Sequence, residues 1–333
     1  EALPMSIPAD EMVSGKRDYV RFYDNKAFPQ NQFYPLDQVL SYATSNDDSK
    51  KEYISSRTEK DNYFPVKNFS LDVDKEAVIA TGYIPAKDTS KIVDKMFWNI
   101  GRTGLSKGDL VVLDVIATNA KTGWKRPIYW TTTTGSSVYL NLDKYLRHNG
   151  LTYQLIPVEA SRNLRGMDDM DLLYKRLMVD YTWGNMDKGE LFLDDKAQLV
   201  PRNLRALFVQ VADFYSRNGD MEKATALIDK CYSSMPETVL PMRLNIKALS
   251  ADIYYRAGQV EKADSFTTDI GNRAFEMANY YGKFKSKGIQ SVERDRRDNL
   301  DVLRNIGALT REYKRDELNK KYTDLYKQAN TVY

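Results

Sequence analysis

The sequence predicts an α+β protein: a mixed α/β domain over residues 1–165, then an all-helical, tetratricopeptide-like domain over residues 166–333. Up to about residue 158, short β-branched and aromatic runs alternate with helical runs. Beyond residue 166, apolar residues recur at three- and four-residue spacing, and two segments repeat. A chain of 333 residues can hold two domains, because single cores stop growing near roughly 250 to 300 residues. The polar segment Ser161 to Gly166 is the predicted boundary.

The N-terminal part is rich in Tyr, Asp, Asn and Pro, and predicts short elements. It either wraps a surface completed by other parts of a larger protein or is an ordinary irregular arm. We expect strands at Tyr19 to Tyr23, Ser70 to Val73, Ala77 to Gly82 and Met96 to Ile100, and a helix at Pro35 to Ala43.

The densest local signals lie between residues 124 and 157. Ile128 to Thr134 is β-branched and aromatic, which predicts a strand. Leu140 to His148 has apolar residues at helical spacing, and Leu151 to Val158 alternates as a strand does. Asn149-Gly150 would end the helix, because glycine adopts positive φ without strain. The segment therefore predicts a strand, a helix and a second strand.

Three runs in this segment resemble a known family. They are Trp124-Lys125-Arg126-Pro127-Ile128-Tyr129-Trp130, Leu142-Asp143-Lys144-Tyr145-Leu146 and Gly150-Leu151-Thr152-Tyr153-Gln154-Leu155-Ile156-Pro157. Together they are similar to the end of the extracytoplasmic α/β region in a bacterial family of uncharacterised membrane proteins. That family is related to protein O-mannosyltransferases, class C glycosyltransferases that use a lipid-linked sugar donor. The resemblance extends to Gly15-Lys16-Arg17-Asp18-Tyr19-Val20 and Tyr181-Thr182-Trp183-Gly184.

This resemblance implies where the chain lies in the cell and which parts of the family's proteins it lacks. In such families a multi-helix membrane segment and its acidic catalytic loop precede this region, and neither is in these residues. The chain would then lie on the periplasmic, extracytoplasmic face of the inner membrane, anchored by a membrane segment outside it. The family's own membrane domain would be a partner, and we expect no catalytic residue here. The resemblance also favours a helix for the ambiguous run Leu110 to Ala120, with Asp109 as its N-cap.

Composition excludes several classes of function. The 49 basic and 46 acidic residues give a net charge of +3, so no strong attraction to nucleic acid follows. The mean hydropathy is −0.57 and no apolar run approaches the roughly 18 residues of a membrane span. No signal peptide is visible, and a start at Glu1 suggests a fragment of something longer.

Motifs for catalysis, metals and cofactors are missing from the sequence. With one histidine and one cysteine, we predict no metal site, no cofactor and no internal disulfide. His148 is expected to cap a helix C-terminus, Cys231 to act as a small buried hydrophobe, and Asp168 and Asp169 to cap the next helix. No glycine-rich phosphate loop occurs.

Candidate ligand contacts remain in the first domain. Trp124, Tyr129 and Trp130, with Tyr139, Tyr145 and Tyr153, could stack on a sugar ring or form the core. Proline forces the preceding residue into extended geometry, so Arg126 could hold a carboxylate or phosphate, or pair with a nearby aspartate.

The helical domain contains an internal repeat. Ala212 to Ala224 and Ala251 to Ala263 are identical at eight of thirteen positions, at an offset of 39. A closing glycine followed by Glu-Lys-Ala is typical of a tetratricopeptide-like helix-turn-helix, whose usual period is about 34 residues. Tyr215 and Tyr254 occupy equivalent positions and are candidate partner contacts in the groove between neighbouring pairs.

We therefore hypothesise a soluble extracytoplasmic portion of a glycosyltransferase-like membrane protein. Its helical repeats would bind a protein or peptide partner through a concave face, or would brace the α/β domain. The alternative is a free-standing interaction scaffold with no enzyme attached. Reading the gene upstream of residue 1 would separate these two classes.

Overall fold

The computed structural model describes residues 5–8, 12–13, 15, 17–159, 168–284 and 290–331. The chain divides into two compact units, Glu1–Asp169 and Met170–Tyr333. The predicted boundary at Ser161 to Gly166 lies outside the described residues. The predicted fold class is confirmed, since small sheets and helices occur in the first unit and helices in the second.

Short strands form three separate three-stranded sheets in the first unit. The strands are β1 Tyr19–Phe22, β2 Tyr34–Pro35, β3 Tyr63–Phe64, β4 Asn68–Asp72, β5 Lys95–Asn99, β6 Gly104–Ser106, β7 Tyr129–Thr131, β8 Leu146–His148 and β9 Thr152–Leu155. The sheet orders are β3-β1-β6, β2-β4-β5 and β7-β9-β8. The first two sheets each contain one parallel pair, and the third is antiparallel throughout.

Two predicted helices are present in the first unit, one expected from periodicity (Pro35 to Ala43) and one that the resemblance favoured (Leu110 to Ala120). Helix α1 (Leu36–Ala43) packs against α3 (Lys107–Lys121). The N-cap of α3 is Ser106, whose hydroxyl accepts from the backbone N–H of Asp109, while the Asp109 carboxylate accepts from the N–H of Ser106. The predicted N-cap, Asp109, is therefore wrong by three residues. Asp109 is instead the third residue of the helix, and its carboxylate bonds back to the backbone of the N-cap, as in a capping box.

The strand predicted at Ala77 to Gly82 is wrong, because helix α2 (Lys75–Ala80) occupies it. The Asp74 carboxylate accepts from the backbone N–H of Ala77 and caps this helix. Of its six residues only Val78 is buried. The β-branched residues Val78 and Ile79 suggested a strand, whereas the N-cap Asp74 before them favours a helix.

The helix predicted at Leu140 to His148 is also wrong. Leu140 and Asn141 have φ of 52° and 60°, in the left-handed region, which a right-handed helix cannot include. A short 3-10 turn and β8 follow, and β8 pairs antiparallel with β9. Asn149-Gly150 turns the hairpin rather than ending a helix, and Gly150 has the expected positive φ of 85°. His148 ends a strand, so its predicted role as a helix cap is wrong as well.

The second unit consists of paired helices. No strand occurs in residues 200–284 or 290–330, as the periodicity predicted. The helices are α4 Met170–Lys175, α5 Leu199–Arg217, α6 Met221–Ser234, α7 Leu244–Arg256, α8 Val260–Gly282, α9 Gln290–Glu312 and α10 Asp316–Thr331. A single turn of π-helix, Arg176–Asp180, continues α4.

The two sequence repeats form the pairs α5/α6 and α7/α8. Gly219 and Gly258 close the first helix of each pair with φ of 86° and 73°, a conformation that favours glycine. The four repeat alanines at 212, 224, 251 and 263 are fully buried. Small side chains at these positions let the helices approach closely. Among the described residues no helix is both long and apolar enough to cross a bilayer.

Candidate functional site

An open groove runs between α7 and α9 in the second unit. It comprises two adjoining cavities of about 400 and 820 Å³, which share Asn245, Val302 and Asn305 in their walls. Helices α7 and α9 are each followed by a helix that packs against them, α8 and α10 respectively. We refer to this feature as the α7–α9 groove.

One end of the α7–α9 groove is apolar. Leu249 and Ala248 contribute from α7, and Val302, Ile306 and Leu309 contribute from α9. The Leu249 side chain is 47% exposed although it is large and apolar. This end therefore offers apolar surface to water in a recess, where a ligand side chain could bury it.

The other end is polar and mostly acidic. Asp295, Asp298 and Asp301 line it from α9, together with Arg294 and, from the start of α7, Arg243. Asp252 and Glu312 add carboxylates at the apolar end. Five of the seven charged residues in the wall are acidic, but Asp252 is already bonded to Arg256 and Asp301 to Arg304. The other three carboxylates still outnumber the two arginines, which favours a cationic ligand.

An ion network supports the wall of the groove. Arg256 donates to Asp213 of α5 at 2.7 Å and to Asp252 of α7 at 2.8 Å. The Tyr313 hydroxyl, just after α9, donates to Asp252 at 2.7 Å. Burial acts to raise the pKa of Asp213, but hydrogen bonds from Arg256 and Arg217 outweigh it and hold the pKa below its usual value. The network therefore joins α5, α7 and the residue that follows α9.

This network is a repeat feature that the sequence analysis missed. Asp213 and Arg217 stand 39 residues before Asp252 and Arg256, and each pair is bonded i to i+4. Both residue types are among the identities of the repeat. A charged pair retained in both copies was the available signal.

The predicted contacts Tyr215 and Tyr254 do not line the α7–α9 groove. Both rings are buried, at 6% and 2% exposure. The Tyr215 hydroxyl donates to Asp171 of α4 at 2.8 Å, and the Tyr254 hydroxyl to Asp229 of α6 at 2.6 Å. Burial, and then the adjacent carboxylate, raises the pKa of each phenol. The two tyrosines, which occupy equivalent positions of the repeat, thus each donate a hydrogen bond to a carboxylate of a neighbouring helix.

The first-unit candidates divide by exposure. Trp124 and Trp130 are core residues, at 5% and 9% exposure. The other core rings are Tyr139, Tyr145 and Tyr153. Tyr139 meets both Trp130 and Tyr153 edge-on, at ring distances of 6.2 and 5.8 Å. Arg126 and Tyr129 are exposed, and the backbone N–H of Arg126 donates to the buried Asn119 of α3 at 3.1 Å. A ligand contact by Arg126 or Tyr129 stays a prediction.

Arg147 is a buried residue that the sequence analysis did not single out. Its guanidinium donates to the carbonyl of Tyr83 and to the side chain of Gln154, both at 2.7 Å. Burial lowers its pKa, opposed by the nearby carboxylates of Asp169 and Asp88. The hydrogen bond from Arg147 on β8 to Gln154 on β9 supports the β8–β9 hairpin.

Within the described residues no group of acidic, histidine and cysteine side chains could hold a metal ion.

These observations describe a two-unit α+β protein whose helical unit carries a groove. Residues 1–173, just over half of the chain, match the family described as TMEM260-associated domain 2, and the chain belongs to that family. TMEM260 itself is an O-mannosyltransferase-related protein. No curated protein and no solved structure matches the chain. The groove lies beyond the matched residues.

Proposed function

We propose that this chain is the extracytoplasmic, non-catalytic part of a glycosyltransferase-like membrane protein, and that its helical unit docks a protein or peptide partner. The observation that carries the docking role is the α7–α9 groove, with exposed Leu249 at its apolar end. Membership of a TMEM260-associated family supports the link to O-mannosyltransferase-related proteins.

The surroundings of the two most reactive side-chain types favour a non-catalytic role. Cys231 is fully buried, and burial raises the pKa of its thiol to about 12. A thiol in that state is a poor nucleophile, because the thiolate is the reactive form. The His148 ring packs on Tyr153 at 4.8 Å, and its Nε2 lies 2.9 Å from the carbonyl of Gly150. Sugar transfer is then assigned to the membrane part, and partner recognition to this chain.

A free-standing interaction scaffold is the second candidate. It is favoured by the position of the groove, which lies wholly in the unit beyond residue 173 and needs no enzyme to bind a peptide. The gene upstream of residue 1 distinguishes the two candidates. Eight or more membrane spans there support the first, and a signal peptide directly before residue 1 supports the second.

The isolated chain should not turn over a polyprenyl-linked sugar, whereas membranes that contain the full-length protein should transfer the sugar to protein. The assay follows radiolabel from the lipid-linked donor into water-soluble and protein fractions. Membranes from cells that lack the protein are the control. Turnover by the purified chain, or equal labelling with and without the full-length protein, would contradict the proposal.

A further inference from the structure

The length of the α7–α9 groove sets the size of the ligand that fills it. Its wall on α9 runs from Arg294 to Glu312, which is about 27 Å at 1.5 Å per residue. An extended peptide advances about 3.3 Å per residue, so about eight residues span this length. A helix of the same length would need about eighteen residues. In extended conformation, a segment of about eight residues is therefore enough to fill the groove.

The middle of the groove is suited to a peptide backbone. Asn245 of α7 and Asn305 of α9 belong to both cavities, and both side chains are exposed. Each amide carries two N–H donors and a carbonyl acceptor. A pair of such amides on opposite walls can hydrogen-bond the N–H and C=O groups of an extended chain without regard to its sequence.

The two ends of the groove give the ligand its sequence preference. The exposed Leu249, with Val302 and Leu309, forms a recess for an apolar side chain. At the other end Asp298 is exposed, while Asp301 is paired with Arg304 at 2.8 Å. Arg243 and Arg294 flank these carboxylates and oppose a cation, but with Asp252 and Asp301 set aside as ion-paired, three acidic residues of the wall remain against these two arginines.

We infer that the α7–α9 groove binds an extended peptide of about eight residues, with an apolar side chain toward Leu249 and a basic side chain toward Asp298. This deepens the proposed function and rests on it for the role of the ligand as partner or acceptor. A second copy of this chain, or an acidic peptide, is a competing occupant that the experiment below distinguishes.

The test measures fluorescence anisotropy of labelled eight-residue peptides with the whole chain. One peptide carries Leu near one end and Lys-Arg near the other, a second has the reversed order, and matched peptides carry Glu-Glu in place of Lys-Arg. We expect at least one basic peptide to bind, and its acidic counterpart to bind about tenfold more weakly or worse. Raising the salt concentration should weaken binding of the basic peptide, because salt screens exposed charge pairs.

Matched variants locate the binding site. Leu249→Ser and Asp298→Lys should each weaken the affinity for the basic peptide by about tenfold. Met277→Ser is the control for Leu249→Ser, and Glu276→Lys is the control for Asp298→Lys. Both controls replace an exposed residue of α8 outside the groove, and both should leave binding of the basic peptide unchanged. Circular dichroism of all four variants confirms that they are folded.

Four outcomes would overturn the inference. The first three are binding of no basic peptide by the folded wild-type chain, equal or better binding of the acidic peptides, and equal weakening by the α8 controls. Self-association in sedimentation that Leu249→Ser abolishes would assign the groove to a second copy and would also overturn it. None of these outcomes affects the sugar-transfer assay, so failure of the peptide assignment and failure of the proposed function are separable.

Discussion

Tyr215 and Tyr254 show how a repeated residue acquires its role from its immediate neighbours. Each phenol is buried and donates to a carboxylate on an adjacent helix, Asp171 in one case and Asp229 in the other. A hydrogen bond between a buried hydroxyl and a carboxylate stabilises a helix contact, and leaving the carboxylate unpaired is costly. The identity of these tyrosines across the repeat is explained by helix packing.

Replacing Tyr254 with Phe should therefore lower the free energy of unfolding by about 1.5 kcal/mol. The loss is at the lower end of the range for charged partners, because Asp229 also bonds Lys262 at 2.9 Å and keeps one partner. Urea denaturation followed by circular dichroism measures it. Tyr280→Phe is the control, since Tyr280 is 52% exposed. Equal stability of the two variants would show that the Tyr254 hydroxyl contributes nothing.

At the scale of helices, the buried alanines set the spacing of the pairs. Ala224 and Ala263 occupy equivalent positions on α6 and α8, and neither is exposed to water. Interiors are close-packed, so the isobutyl side chain of a leucine in place of the alanine methyl has no empty volume to enter. The helices must separate or distort to admit it.

Ala224→Leu or Ala263→Leu should destabilise the helical unit by roughly 1 to 3 kcal/mol through overpacking. Thermal melting measures the change. Ala206→Leu is the matched control, because Ala206 is an exposed position within α5 and should melt like the wild-type chain. Unchanged melting of both buried-site variants would mean that these alanines are not at helix contacts.

The ion network that joins α5 and α7 should give the helical unit a pH-dependent contribution to stability. The pKa of Asp213 is lowered in the folded chain, so its stabilising effect is complete above the unfolded value of about 3.9. That effect is lost as the pH falls through the folded pKa. The stabilisation therefore disappears in acid, not in base.

Asp213→Asn should lower the melting temperature at neutral pH, and its difference from wild type should shrink as the pH falls from about 5 to about 2.5. Asp187→Asn, at an exposed position, is the control for general acid effects. A difference that stays constant across this range would contradict a role for the Asp213 charge.

How far the sequence predicts the fold depends on whether local signals decide an element. The helix pairs and their turns at Gly219 and Gly258 were predictable, because periodicity and a positive-φ glycine act within one segment. The segment Leu140 to His148 was not, because its pairing with β9 and the left-handed Leu140 and Asn141 depend on the surrounding structure. Strand pairing overrode a helical spacing there.

The candidate site was predicted only in outline. Periodicity indicated that stacked pairs would present a concave face, but not which side chains would line it. Tyr215 and Tyr254 were expected there and are buried between helices, whereas Leu249 and Asn305 line the groove from helices distant in sequence. Assigning the wall required the packing of α7 beside α9, for which the sequence has no local signal.

At the scale of the whole molecule, family membership and the groove belong to different parts of the chain. The family match ends at residue 173, close to the division between the units after Asp169. The groove is built entirely from helices of the second unit. On our proposal the first part identifies the kind of membrane protein, and the second part selects what it acts on.

Sugar transfer by the full-length protein in membranes, compared between Leu249→Ser and Met277→Ser, tests this division of labour most directly. Both changes replace an exposed apolar side chain of the helical unit, but only Leu249 lines the α7–α9 groove. Radiolabel passing from a polyprenyl-linked donor into protein is counted for each variant at equal protein levels. We predict that labelling falls by about tenfold in Leu249→Ser and stays at the wild-type level in Met277→Ser. Equal labelling by the two variants would contradict a docking role for the groove.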